Sequence, residues 1–120
     1  MDINNPVIKL CIKGARAEFE GRIKDARSLY LQAWGKSRDD YEACVAAHYM
    51  ARRQENPLDA LHWNQVALSL AKAVRDDWTQ SFFPSLYVNL GRSHEALGNL
   101  DKAGYYYKLA ADLGLVHSAD

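Results

Sequence analysis

Gly14, Gly21, Ala26, Tyr30 and Ala33 recur, type for type, as Gly91, Gly98, Ala103, Tyr107 and Ala110, each pair separated by 77 positions. A constant offset held by five small or aromatic residues marks one supersecondary unit laid down more than once. Seventy-seven residues is too long for one helical hairpin and too short for three, so a further unit is expected between the copies. Ala60 and Ala67 supply it: they lie 34 residues after Ala26 and Ala33, and 43 before Ala103 and Ala110. The second step therefore carries nine extra residues, in the stretch from Arg75 to Pro84.

Thirty-four residues is the period of a helix-turn-helix repeat. The last copy reads Tyr87-x2-Leu90-Gly91-x2-His94, then Ala103-x3-Tyr107, and it resembles the tetratricopeptide repeat, with Tyr for Trp at the first position and His for Tyr at the fourth. The first copy, Leu10-x2-Lys13-Gly14-x2-Ala17 with Ala26-x3-Tyr30, keeps the small residues and the aromatic. The middle copy keeps only the alanines and puts Asn64 where the aromatic belongs. The resemblance spans roughly residues 6–115. It implies an all-α fold, a right-handed superhelical array of three helix-turn-helix repeats in a single domain over 1–120, with repeats at about 6–39, 40–76 and 77–115.

Composition agrees with helices. Ala and Leu are abundant, Val, Ile and Thr are scarce, and apolar residues run at helical spacing in Ala26-Leu29-Tyr30-Ala33 and Leu86-Leu90-Ala96-Leu97. The predicted helices cover 6–19 and 24–37, 40–54 and 58–75, and 78–97 and 101–113, with no strands. Gly21 and Gly98 stand where a helix ends on a left-handed residue, and Asn56-Pro57 is assigned the same job in the middle copy. Asp59 and Asp101 suit a helix cap or first turn. Small residues at the close-contact positions let paired helices approach to about 8–10 Å, and Tyr30 and Tyr107 are expected to fill the wedge between hairpins. The insertion carries Trp78, Phe82 and Phe83, read as local core in preference to a docking patch, and Pro84 belongs near a helix start or kink.

Several function classes are set aside at this level. Fifteen acids balance fifteen bases, and no basic stretch exceeds Arg52-Arg53, so nucleic acid is not an expected ligand. No apolar run spans a bilayer and the start Met1-Asp2-Ile3-Asn4-Asn5-Pro6 is polar, which predicts a cytoplasmic protein without membrane contact. Cys11 and Cys44 read as small buried hydrophobes, not a disulfide. Cys44, His48 and His62 are the one candidate metal set, but no fourth ligand is visible and core roles are favoured. His94 is given a packing role, and His117 lies on a frayed tail. No nucleophile elbow or phosphate loop is present, so no catalytic residue and no cofactor is assigned.

In the tetratricopeptide family the first helices line a concave surface. The resemblance implies that positions two, five, nine and twelve of each first helix face that groove. They are Ile8, Cys11, Ala15 and Glu18 in the first repeat, and Ser85, Val88, Arg92 and Glu95 in the last, with Asn89 beside them. The middle helix has two registers, Glu42, Val45, Tyr49 and Arg52, or Tyr41, Cys44, His48 and Ala51. The Lys and Asn clamp with which some members grip an acidic C-terminal peptide is missing, since Cys11, Ala15, Ser85 and Asn89 stand at its positions. The implied function is a small non-catalytic scaffold binding a partner's peptide or helix through Glu18, Tyr49, Arg52, Ser85, Val88, Asn89, Arg92 and Glu95. The alternative is a self-associating protein: Tyr106, Leu109 and Leu113 form an apolar stripe on the last helix, which predicts a homodimer there or cover by Leu115-Val116 folding back.

Overall fold

A computed structural model describes residues 3–74 and 77–114, with side chains described outside 77–80. Among the described residues the chain is entirely helical. It runs α1 (Pro6–Phe19), α2 (Ile23–Lys36), α3 (Asp40–Arg52), α4 (Pro57–Ala73), α5 (Asp77–Ala96) and α6 (Leu100–Asp112). Each helix packs most extensively on its chain neighbour, giving the pairs α1 with α2, α3 with α4, and α5 with α6. Between pairs, α3 rests on α2 and α1, and α5 on α4. The Trp78 indole, and Leu115, Val116 and His117, on which expectations fell, lie outside what is described.

The turns show why the 77-residue repeat exists. Gly21 and Gly98 take φ of 81° and 77°, the left-handed region that costs glycine nothing. Around each the same two hydrogen bonds close the preceding helix. The Gly21 and Arg22 amides donate to the Glu18 and Ala17 carbonyls, and those of Gly98 and Asn99 donate to Glu95 and His94. This pair of bonds satisfies carbonyls that a helix end otherwise leaves unpaired. Asn56-Pro57 works differently from the expectation. Asn56 is extended, its side chain accepts from the Leu58 amide at 2.8 Å, and Pro57 opens α4, so the pair starts a helix and does not end one. Asp59 and Asp101 are acids of the first turn, not caps.

Gly14 and Gly91 have another purpose. A Cβ on either would stand well inside van der Waals contact of the ring of Tyr30 or Tyr107, respectively, so the absent side chain is what lets each ring lie across the facing helix. In both copies the phenol then donates to a carboxylate 12 residues earlier, Tyr30 to Glu18 Oε1 and Tyr107 to Glu95 Oε1, each at 2.7 Å. Tyr30 is fully buried with Ala17 and Ala26. Tyr107 is only half-buried, because no hairpin follows it among the described residues.

The nine extra residues lengthen α5 at its start, to 20 residues against 14 in α1 and 13 in α3. Pro84 lies inside this helix, at the register of the residue that follows Pro6 in α1. Phe82 and Phe83 pack on a core formed by Cys44, Ala47, Ala67, Leu68, Ala71, Leu86 and Leu90. The second main cluster joins α1 to α3 through Val7, Ile8, Cys11, Val45 and Ala46.

Candidate functional site

Burial aligns α3 with α1 at a step of 34 and α5 with α3 at 43, without an inserted residue: Cys11, Val45 and Val88 are all buried, as are Ala17, Ala51 and His94. That alignment favours the register with Glu42, Val45, Tyr49 and Arg52 for the middle repeat. Cys44, which the other register turns outward, is enclosed, and its thiol donates to the Ala67 carbonyl at 3.3 Å.

Only part of the expected groove is available to a ligand. Ile8, Cys11, Val45 and Val88 are enclosed between helix pairs. Positions two and five of a first helix face its neighbour closely, and an apolar side chain there completes the core. Glu42 is buried too, but as an anchor. Its carboxylate accepts from Asn5 Nδ2 at 2.8 Å, from the Arg38 amide at 2.9 Å, and from Arg38 Nη2 at 2.9 Å. The Arg38 guanidinium is the main reason its carboxyl is held down to about 2. Sequence reasoning missed this role, which depends on Asn5, 37 residues away.

The positions nearer the helix ends form a polar seam across the first helices. Glu18 accepts from Arg52 Nη2 at 3.1 Å while also holding the Tyr30 hydroxyl. Tyr49 packs against Tyr30 with ring centroids 5.3 Å apart, and the Arg52 guanidinium lies 5.4 Å over the Tyr49 ring. Asn89 Nδ2 lies 3.3 Å from His48 Nδ1, joining α5 to α3. Burial, with Arg52 nearby, depresses the His48 imidazole to about 4, so it is neutral near pH 7. Arg92 is exposed and forms no ion pair among the described residues, and Ser85 is half-buried in the middle of α5.

Two cavities adjoin this seam. One, of about 360 Å³, lies between α2 and the α3–α4 turn. Its Arg27 is already engaged, bonding Glu55 at 2.7 Å and the Arg53 carbonyl at 3.1 Å. The other, of about 270 Å³, opens between α3, α4 and α5, where Arg52, Asn64, Asn89, Arg92 and Ser93 meet. Asn64 donates to Ser93 Oγ at 2.9 Å, while its buried Oδ1 has no hydrogen-bond partner. This second cavity unites Arg52, Asn89 and Arg92 from the expected set. Glu18 and Tyr49 stand beside it, and Glu95 is engaged with Tyr107.

The candidate metal set is not brought together. Cys44 faces α4, His48 faces Asn89 and the Phe82 ring, and His62 is exposed beside Trp63. Cys11 and Cys44 are free thiols, each pushed up to about 12 by burial. His94 is buried and stacks on Tyr106, with interplanar angle 4°. Tyr106 also stacks on Tyr87, so its ring is turned into the chain and not outward as the dimer stripe required. Leu109 is half-buried, and Leu113 remains exposed at 56%. No helix among the described residues is long and apolar enough to cross a membrane. Comparison with protein-family models, with curated proteins and with solved structures finds no match.

Proposed function

We propose that the protein is a non-catalytic interaction scaffold, three tetratricopeptide-like repeats in a right-handed superhelical array, which takes a peptide or helix of a partner protein along the face of α1, α3 and α5. The observation that carries this reading is the polar cleft between α3, α4 and α5. It places Arg92, free of ion pairs among the described residues, beside Arg52 and Asn89, with an unmatched buried amide behind them. The repeated glycine, tyrosine and glutamate device supports the repeat assignment, because it recurs at the same spacing in the first and last hairpins. A partner other than nucleic acid belongs to the same proposal and rests on the balanced charge, and a cytoplasmic setting without membrane contact rests on the want of an apolar run of bilayer length among the described residues.

The test is selection of displayed random peptides on purified protein. Enriched peptides should lose binding to Arg92→Glu and keep it with Lys108→Glu, a change outside the face. Equal enrichment on the wild type and Arg92→Glu would refute the assignment.

A second reading is self-association through α6, favoured by the exposure of Tyr105, 60% exposed, on α6 and of Leu113 immediately after it. Light scattering over a concentration series decides it: a dimer that Leu113→Glu converts to monomer supports this reading, and a monomer at all concentrations removes it.

A further inference from the structure

The 270 Å³ cavity corresponds, residue by residue, to the space that Tyr30 fills in the first repeat. Tyr30 lies among Ala17, Ala26, Tyr49 and Met50, with Glu18 at its hydroxyl. Steps of 34 and 43 carry these to Ala51, Ala60, Arg92, Ser93 and Arg52, which line the cavity, while two further neighbours of Tyr30, Leu29 and Gly14, map to Trp63 and His48, which do not. Tyr30 itself maps to Asn64. The middle repeat therefore retains the aromatic slot without the aromatic. Its tip has changed sign as well: where the flanking slots offer a carboxylate to a phenol, this one offers the Arg52 guanidinium, with Arg92 across the mouth.

A second change fits the first. Gly14 and Gly91 are glycines because a ring lies on them. The corresponding middle residue is His48, which is accommodated because no ring is fixed to α4 there. The side chain that remains on α4, Asn64, is 6% exposed, and its Oδ1 finds no donor within the chain. An unmatched buried amide oxygen is costly and is relieved only by a partner that brings a hydrogen-bond donor to it, as the backbone N–H of a peptide's last residue would.

We infer that this slot is a binding site for an aromatic ring bearing a carboxylate, with the ring between Ala51, Ala60 and Asn64 and the carboxylate on Arg52 and Arg92. Arg52 already gives Nη2 to Glu18 and keeps further donors for a ligand. Arg92 brings its full set. Glu55 also lines the cavity, but its carboxylate is engaged by Arg27 at 2.7 Å. A planar guanidinium suits a carboxylate through two parallel hydrogen bonds, and its face stacks on rings. The inference does not require a long partner segment on the α1, α3 and α5 face. The ligand chemistry is shared by a free arylcarboxylate and by a peptide ending in Phe or Tyr with a free carboxyl terminus.

The experiment is a nuclear magnetic resonance titration of the whole chain, following the side-chain amides of Asn64 and Asn89 and the Nε–H groups of Arg52 and Arg92. The probes are benzoate, phenylacetate, phenylacetamide, acetate, and a pentapeptide ending in Phe, free and amidated. Benzoate or phenylacetate should move these four residues. The neutral amide and the ringless acid should bind at least tenfold more weakly, and Arg92→Gln should lose about tenfold. A free-acid peptide binding tenfold more tightly than phenylacetate identifies a peptide terminus as the source, and equal binding identifies a small molecule. The double variant His48→Gly with Asn64→Tyr refills the slot with a ring while keeping Arg52. It should keep its helicity, unfold at a higher temperature and bind none of the probes. Absence of shifts at these residues with every aromatic acid overturns the inference, as does full binding by the refilled variant. Peptide selection on the α1, α3 and α5 face can succeed in either case, so failure here is separable from failure of the scaffold reading.

Discussion

One chemical change, glycine to alanine within a helix, should have opposite signs at different sites of this chain. Gly104 lies within α6 and Gly35 near the end of α2, and a Cβ at either meets nothing within 4 Å. Alanine there removes backbone freedom from the unfolded chain, and Gly104→Ala should stabilise by about 0.5–1 kcal/mol. At Gly14 the same gain is present, but the new methyl meets the Cε1 and Cδ1 atoms of Tyr30. That ring is fully enclosed and its hydroxyl is fixed on Glu18, so it has no rotamer to retreat to. Overpacking of this kind costs about 1–3 kcal/mol. With the propensity gain subtracted, the net loss is about 0–2.5 kcal/mol, or up to roughly 12 °C in melting temperature for a domain of this size. Gly91→Ala should cost less, because Tyr107 is half-buried and can tilt outward. The assay is thermal unfolding followed by circular dichroism, with a double-mutant cycle in which Tyr30→Asn accompanies Gly14→Ala. In the Asn background, which copies the middle repeat, the alanine should become stabilising. If Gly14→Ala raises the melting temperature as Gly104→Ala does, the close approach of ring and helix is not what holds these glycines.

Tyr30→Ala should destabilise by about 3–5 kcal/mol and Tyr107→Ala by about 1–3 kcal/mol, since the second ring is already partly in water; chemical denaturation curves with equal loss at both sites would contradict the packing. Acid should act in two windows. His48 is neutral in the fold and charges more readily when unfolded, so its contribution is whole above about pH 6.5 and is lost on the way down to about 4, up to roughly 3 kcal/mol. Glu42, depressed from 4.5 to about 2, keeps its contribution above about pH 4.5 and loses it below, about 1–2 kcal/mol once solvent screening of the exposed Arg38 is allowed for. Stability measured in denaturant against pH should lose the upper window in His48→Asn and the lower one in Glu42→Gln. Cys11 and Cys44 should resist a thiol reagent in the native protein at pH 8 and react together on unfolding, and fast native labelling of either would show that it is not enclosed.

The helices were legible because their signals are local. Gly21 and Gly98 announce chain reversals through their own backbone requirement, and the predicted ends fall within a few residues of α1 to α6. Counting residues between alanines located the nine extra residues, but not which of the two adjoining helices, α4 or α5, they lengthen. Legibility failed where the outcome depends on which neighbour lies opposite. Val88 and Cys11 occupy positions read as open, yet a second hairpin closes over them. Tyr106 belonged to an apolar stripe by spacing, and its ring instead turns to Tyr87 and His94. Glu42 carried no mark of its anchoring role, because both Asn5 and the fold of the Arg38 turn are needed to create it. Arg52 and Arg92 were visible as charges, but that they line one cavity together with Asn64 was not.

That cavity links three departures of the middle repeat that look independent along the chain. Asn64 lacks the ring, His48 lacks the glycine, and Arg52 lacks the carboxylate. In the flanking repeats each of these features requires the others: the ring needs a helix without a Cβ, and its hydroxyl needs an acceptor. Once the ring is removed, glycine costs helix stability for no packing gain, and a carboxylate at that position loses the phenol's hydrogen bond. A repeat that had merely decayed would be expected to collapse its slot with a larger aliphatic residue, since a void costs stability in proportion to its volume. Here the slot is lined by two guanidiniums, which gain from a carboxylate, and by an amide oxygen that lacks a donor. The rebuilt set His48→Gly, Arg52→Glu and Asn64→Tyr separates the alternatives. If the native residues serve binding at the expense of stability, the triple variant is more stable than the wild type and indifferent to aromatic acids. If it is less stable, the slot is not equivalent to that of Tyr30 and the residue-by-residue correspondence between the repeats fails.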